Sequence, residues 1–202
     1  MANAKPPGPN QTPPKRSNLV RLIAIVLLTL IVLVGLTILI IWLTIKPKKL
    51  VYSIEDGAVH NYNLSNSNHL SATYYFALRA YNPNKKVSVY YDKVDVVVQY
   101  DDQTISRGTI DPFYQHKRNA TRFKLNLSSH DVTLPEQTAR DLKVERSAGR
   151  IEMTVKLRAR IRFKVGMWKS RHYRLKVTCA PIMVHYYSSS KGFQSVSCDV
   201  DI

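Results

Sequence analysis

Residues 153–165 read MTVKLRARIRFKV, with apolar and polar side chains in unbroken alternation. A β-strand sends successive side chains to opposite faces, so a period of two predicts a strand with one buried face. Met153, Val155, Leu157, Ala159, Ile161, Phe163 and Val165 form that face; Thr154, Lys156, Arg158, Arg160, Arg162 and Lys164 form the other. A face carrying five cations has two readings. It is a solvated surface whose charges block edge-to-edge pairing, or it is an anionic-partner patch made of Lys156, Arg158, Arg160, Arg162 and Lys164. The second reading rests on repulsion, because a row of like charges is easier to keep beside a counter-anion.

After this strand, Tyr173–Val177 and Pro181–Tyr187 read as two more, Pro181 requiring an edge or a strand end because it cannot donate to a ladder. Ser188 to Gly192 is a loop returning the chain to Val196–Val200, which brings Cys198 back toward Cys179. Before the strand, Thr133-Leu134-Pro135-Glu136 has the capping-box pattern. With Leu134, Ala139 and Leu142 as its apolar stripe and Gly149 beyond its end, it predicts a helix of about three turns. Earlier still, Arg122–Leu127 alternates, and Pro112 breaks the ladder before Phe113-Tyr114. Val87–Tyr100 is a long strand rich in Val and Tyr, with a bulge expected near Tyr90-Tyr91. Asp101-Asp102-Gln103 turns it back into Thr104–Ile110, and Asn82-Pro83-Asn84 is a turn whose Asn side chains can bond nearby backbone. Ala72–Ala80 places Tyr74, Phe76 and Leu78 on one face; a short strand starts at Val51, Ser53 and Glu55, and His60 to Ser71 is a polar stretch between them. About seven strands at this spacing, with one short helix, predict a mainly β protein built as an antiparallel β-sandwich.

Ahead of the strands lies an uncharged run, Leu22 to Ile45. As a helix its 24 residues would extend about 36 Å, enough to cross a hydrocarbon core of about 30 Å. A signal peptide's apolar region is shorter, about 7–15 residues, and no small-residue cleavage site follows this one. The chain therefore divides into a Pro-rich disordered tail at 1–18, a transmembrane signal-anchor helix at 19–45 and one β-domain at 46–202. Lys15, Arg16 and Arg21 before the span balance Lys46, Lys48 and Lys49 after it, so the flanking charges leave orientation tied. Two features lean one way. Cys179 and Cys198, the chain's two cysteines, are spaced for a disulfide between neighbouring strands, which suits an oxidising compartment. Glycosylation sequons stand at Asn63, Asn119 and Asn126 in the same domain. Both favour a cytoplasmic tail and an extracellular domain.

Net charge is strongly positive, with 30 Lys+Arg against 14 Asp+Glu, which fits an anionic partner or surface. Outside the cell that partner is an anionic lipid or an acidic cell-wall polysaccharide, not nucleic acid. Catalysis has little to stand on. The six histidines show no metal-ligand spacing, the seven glycines form no phosphate loop, and no G-x-S-x-G elbow occurs. We expect no enzyme, no cofactor and no metal.

The stretch NPNKKVSVYYD (Asn82–Asp92), within which Asn82, Pro83, Asn84, Tyr90, Tyr91 and Asp92 carry the pattern, resembles the plant harpin-induced-like and non-race-specific disease resistance-like proteins. That family carries a late embryogenesis abundant group 2 (WHy-type) domain. YNLSNSNHLSATYYFALRAYNPN (Tyr62–Asn84), DPFYQHKRNAT (Asp111–Thr121), RFKVGMWKSRHYRLKVTC (Arg162–Cys179) and CDVDI (Cys198–Ile202) match it in the same order. One departure is that Gln115 meets His116 where the family usually has Gly. The resemblance implies a plasma-membrane protein with a short cytoplasmic tail and an outer fibronectin-like β-sandwich. It also implies a role in plant defence, such as the hypersensitive response, or in stress, through protein partners in defence signalling or the cell wall. It implies no catalytic residues. The alternative function is a membrane-proximal lipid-binding or lipid-transfer module, which an apolar cavity open at one end of the sandwich would favour.

Overall fold

The structure is a computed structural model, and it describes residues 16–45, 48–186 and 193–202. The chain forms two compact units, Met1–Lys46 and Pro47–Ile202. In the first, helix α1 (Arg16–Ile45) contains the whole apolar run and begins before it, so residues 16–18 are helical where a disordered tail was expected. Its stretch Asn18–Ile40 is long and apolar enough to cross a membrane, with a mean hydropathy of 3.2, and none of it is buried against protein. Thr29 and Thr37 donate their hydroxyls to the Ile25 and Leu33 carbonyls at 2.8 and 2.7 Å, so these polar groups are satisfied within the helix itself. The rest of the expected tail, the side chain of Trp42 and the Ser188–Gly192 loop lie outside the described residues.

The second unit is built from β1 (Val51–Leu64), β2 (His69–Tyr81), β3 (Val87–Tyr100), β4 (Gln103–Ile110), β5 (Phe113–Gln115), β6 (Ala120–Thr133), helix α2 (Glu136–Ser147), β7 (Arg150–Val165), β8 (Trp168–Lys169), β9 (Tyr173–Tyr186), β10 (Val196–Ser197) and β11 (Asp199–Asp201). Seven of the strands run in the order β4-β3-β7-β9-β1-β2-β6, and the four short ones pair at their margins. The fold is mainly β, as the alternation predicts. Its two walls, β4-β3-β7-β9 and β1-β2-β6, belong to one hydrogen-bonded sheet that nearly closes on itself. The inward side chains, among them Ile54, Tyr74, Val96, Val155, Ile161 and Val184, make one packed core. Burying each such aliphatic side chain contributes roughly 1.5–3 kcal/mol.

One joint in the order is parallel. Among the described residues, strands β1 and β9 pair directly at Ala58–His185 and Val59–Tyr186. Elsewhere the C-terminal segment lies between them: β10 pairs with Ser53 and Ile54 of β1, and β11 pairs with Lys176 to Thr178 of β9. Cys198 sits between those two short strands. Its amide donates to the Tyr52 carbonyl at 3.0 Å, and its sulfur is bonded to Cys179.

At the other seam β4 approaches β6. The Ser106 hydroxyl donates to the Ser128 carbonyl at 2.7 Å, and a Cβ placed on Gly108 would lie 2.2 Å from Leu127 Cδ2. Only a residue without a side chain leaves Leu127 in place there.

Four local expectations need correction. Strand β1 continues through His60 to Leu64 instead of giving way to a polar stretch, because register shifts at Ile54/Asp56 and His60/Asn63 absorb its irregular pattern. Tyr173–Val177 and Pro181–Tyr187 are one strand, β9, ending at Tyr186 among the described residues. Pro181 is tolerated inside it because the β7 ladder slips between Met153 and Val155 opposite that point, while on the other side β11 has ended and β1 has not yet begun to pair. The capping box does not form: Pro135 is the N-cap and no side chain caps the helix. Thr133 is held in β6 opposite His69, and Glu136 pairs along the helix with Arg140. The apolar stripe does hold, with Leu134, Ala139 and Leu142 all buried.

Where the chain enters the β-unit, buried amides replace apolar packing. Asn84 donates through Nδ2 to the Lys48 carbonyl at 2.9 Å and accepts the Lys48 amide at 2.7 Å, pairing with that residue as a strand would. Asn82 donates to the Val87 and His116 carbonyls, and Gln115 donates to those of Ala80 and Asn119. Tyr91 donates its hydroxyl to Gln115 Oε1 at 3.2 Å and is 2.6 Å from the Tyr52 hydroxyl. Burial pushes both phenols well above their ordinary range, so they stay protonated and able to donate.

Two outcomes test this architecture. Gly108→Val should force the β4–β6 seam apart and cost about 1–3 kcal/mol, read as a lower thermal midpoint in detergent; an unchanged midpoint would show that Leu127 swings aside freely. Removing both cysteines (Cys179→Ala with Cys198→Ala) should cost about 3 kcal/mol for a sequence separation of 19, measured by urea unfolding. An unchanged urea midpoint would mean that backbone pairing alone retains the C-terminal segment.

Candidate anion-binding face

Strand β7 lies between β3 and β9, so its outward cations acquire neighbours on both sides. Arg158 stands opposite Asp95 of β3 and Lys176 of β9. Arg160 stands opposite Lys93 and Arg174. Lys156 faces Val97 and Thr178. All five expected patch residues share the outer face, as a period of two dictates, yet their surroundings differ.

The two ends of the row are neutralised or shielded. Lys156 Nζ is 3.8 Å from Asp102 at the β3–β4 turn. Arg162 makes a two-point bond to Asp92, with Nε donating at 3.0 Å and the second nitrogen at 2.5 Å, and His172 Nε2 lies 3.3 Å from the same carboxylate. That contact pushes the Arg162 guanidinium further up from its already high range. Lys164 lies over the rings of Tyr90 and Tyr114, and Lys169 lies 5.1 Å from the Tyr90 centroid. The middle is different. Among the described residues Arg158, Arg160, Arg174 and Lys176 have no ion pair, and Asp95 is engaged by Lys93 at 3.1 Å. These side chains line an open groove with Lys93 and Asp95.

Arg174, Lys176 and Lys93 were not singled out from the sequence. The alternation RLKVT after Tyr173 puts Arg174 and Lys176 outward, but only the β7–β9 register places them beside Arg158 and Arg160.

The remaining expected residues fall elsewhere. Tyr90 faces out beneath the cations, Tyr91 faces in, and Asp92 occupies the slip in the β3–β7 ladder, at the bulge expected near Tyr90-Tyr91. Asn82 and Asn84 are buried clamps flanking Pro83. Gln115 is buried although His116 follows it directly, and the backbone turns next at Arg118, whose φ is 52°. Asn63, Asn119 and Asn126 are all exposed. Asn126 sits on β6 opposite Tyr75, on the wall away from the basic face, so a glycan there would leave that face open.

The unmatched centre has a measurable cost. Directly opposed like charges destabilise a sheet, so Arg160→Gln should raise stability by about 0.2–1 kcal/mol at low salt, and the gain should shrink as salt screens the repulsion. Arg162→Gln should instead lower stability by leaving Asp92 with His172 alone. Thermal melts at two ionic strengths check both signs, and a loss for Arg160→Gln would show that the row is internally compensated.

The family model described as Late embryogenesis abundant protein matches residues 77–179, from β2 through the whole of β3 and β7 to Cys179. An uncharacterized protein of Arabidopsis thaliana is 40% identical over 188 residues, covering 92% of this chain and 85% of its own length. NDR1/HIN1-like protein 3 of the same plant is 32% identical over 180 residues, covering 87% of this chain and 78% of its own. NDR1/HIN1-like protein 10 is 29% identical over 184 residues, with 87% and 81% covered. The match to the family model across the basic sheet, together with relatives that run through the apolar helix and the β-unit alike, establishes that this chain belongs to the late embryogenesis abundant group 2 family, among the NDR1/HIN1-like proteins.

Proposed function

We propose that this protein is a plasma-membrane-anchored component of plant defence whose outer β-domain binds an acidic cell-wall polysaccharide through its basic face and engages protein partners of the defence response. In this reading α1 crosses the plasma membrane, the N-terminal residues are cytoplasmic, and the β-domain is extracellular. The cationic centre of the face carries the proposal: Arg160 opposes both Lys93 and Arg174, and in the next row Arg158 and Lys176 stand side by side between Asp95 and Asp201. The Cys179–Cys198 disulfide and three exposed sequons support an oxidising, glycosylating compartment. The apolar, unburied helix supports the anchor. Family membership supports the defence role.

A lipid-carrying module would need apolar room inside the sheet. The inward side chains instead form one continuous core, and the mainly apolar pocket beside Gly57, Phe76 and Leu125 measures only about 180 Å³. The binding reading is therefore preferred.

The test uses the full chain in nanodiscs and immobilised polygalacturonate, a polymer with one carboxylate on each sugar, with its methyl ester as the uncharged control. Wild type should be retained on the acid polymer and released by salt, and the Arg158→Gln, Arg160→Gln, Arg174→Gln variant should lose most of that retention. Equal retention of variant and wild type, or equal retention on the ester, would overturn the binding mechanism. Topology is read separately in plant cells, where surface protease should remove the β-domain and glycosidase should shift its mobility. A protease-resistant, unglycosylated domain would reverse the orientation.

A further inference from the structure

At the end of β7 the chain makes a tight hairpin into β8 whose apex is Gly166-Met167, followed by Trp168. Gly166 has φ of 57°, a left-handed conformation that side chains disfavour. Met167 is fully exposed and Trp168 is 64% exposed, so two large apolar side chains stand side by side in water. The hairpin is not a loose loop. Val165 pairs with Trp168 and Lys164 with Lys169, and the Ser170 hydroxyl accepts the Phe163 amide at 2.9 Å beneath them. The proposed polysaccharide site makes no use of this tip.

Its surroundings identify what covers it. Lys169 and Arg171 flank the tip and are exposed, as are Lys85 and Lys86 just ahead of β3. Val165 is paired with Val87, whose carbonyl accepts Asn82 Nδ2, and the neighbouring Asn84 grips the backbone of Lys48. The hairpin and the point where the chain enters the β-unit therefore lie at the same end of that unit. Three peptide links join Ile45, the last residue of α1, to Lys48, and they extend at most about 11 Å. An indole beside lysines and an arginine matches the boundary between lipid carbonyls and headgroup phosphates, where Trp partitions and cationic side chains meet phosphate oxygens.

We infer that the β7–β8 hairpin seats in the headgroup layer of the same bilayer that holds α1, with Met167 and Trp168 at the acyl boundary and Lys169 and Arg171 on lipid phosphates. This rests on the reading of α1 as a membrane anchor. It adds that the β-domain touches the membrane surface through this hairpin.

The chain's two tryptophans, Trp42 in α1 and Trp168 in the hairpin, separate the two ideas. The Trp42→Phe and Trp168→Phe variants of the full chain are reconstituted in nanodiscs of phosphatidylcholine and phosphatidylglycerol, with or without bromine on the acyl chains near the carbonyls. In Trp42→Phe, Trp168 should lose emission in the brominated discs and be shielded from aqueous iodide. Adding Lys169→Gln and Arg171→Gln should restore much of that emission. Trp168 emission untouched by bromine and fully quenched by iodide would overturn the inference, as would quenching unaffected by losing the two cations. In Trp168→Phe, Trp42 should be quenched by bromine whatever the hairpin does. If Trp42 also escapes quenching, the anchor reading fails first and the hairpin inference falls with it.

Discussion

The arrangement depends on one constraint: strands β1 and β9 run parallel, pair directly at two positions among the described residues, and are bridged nearby by the β10–β11 segment. A sheet with that gap unfilled would expose unpaired amides and carbonyls along the facing edges of both walls, groups that seldom go unbonded in a folded protein. The β10–β11 segment closes it by pairing with β1 on one side and β9 on the other, and the Cys179–Cys198 bond ties it down at the change-over. Position follows for everything beside it. Strand β9 is fixed against β7, so Arg174 and Lys176 stand next to Arg160 and Arg158. The basic face is set by the long β7–β9 ladder, and the C-terminal segment covers the other edge of β9.

What could be read from the sequence follows from which forces are local. A period of two is a local signal, so the buried and exposed faces of β7 and the inward set Tyr74, Phe76 and Leu78 were legible, as was the bulge at Tyr91/Lys93 in an overlong strand. The cysteine pair was legible because one spacing offered one partner. Competing local signals failed where tertiary pairing overrode them. Thr133 has the chemistry of a helix cap, but its backbone is committed to His69, so the cap would have to break a ladder to form. Pro181 reads as a strand end, yet a ladder slip on one side and a change of partner on the other remove the need for its missing donor. Neither outcome is encoded within a few residues of the signal. The same holds for Gly108, whose lack of a side chain matters only because Leu127, from β6, arrives beside it.

The site divides along the same line. Alternation alone placed Lys156, Arg158, Arg160, Arg162 and Lys164 on one face, but which of them remain uncompensated is a matter of neighbours. Asp92 is near in sequence to none of them and yet engages Arg162 with two bonds. Tyr90 shields Lys164 and Lys169 from below. The family motif and the basic row therefore meet at one end of β7: the motif neutralises that end, and the charge left free belongs to the centre, where β9 contributes as much as β7.

The spacing of that centre limits what can bind it. Outward residues along a strand repeat about every 6.6–6.8 Å, and adjacent strands lie about 4.7–4.9 Å apart. Lys93, Arg160 and Arg174 form one row across three strands, and Arg158 and Lys176 form the next, with Asp95 and Asp201 at its two ends. A compact anion such as a single phosphate could touch one or two of these cations and would leave the others opposed to one another. Relief of the whole grid calls for negative charges that recur at comparable intervals, as they do along a polymer of acidic sugars. Arginine's guanidinium, charged at any physiological pH and planar, suits bidentate contact with each carboxylate in turn. The groove is open, so an extended chain can lie in it without first being threaded. Charge spacing and the like-charged row of Lys93, Arg160 and Arg174 favour a linear polyanion over a small ligand.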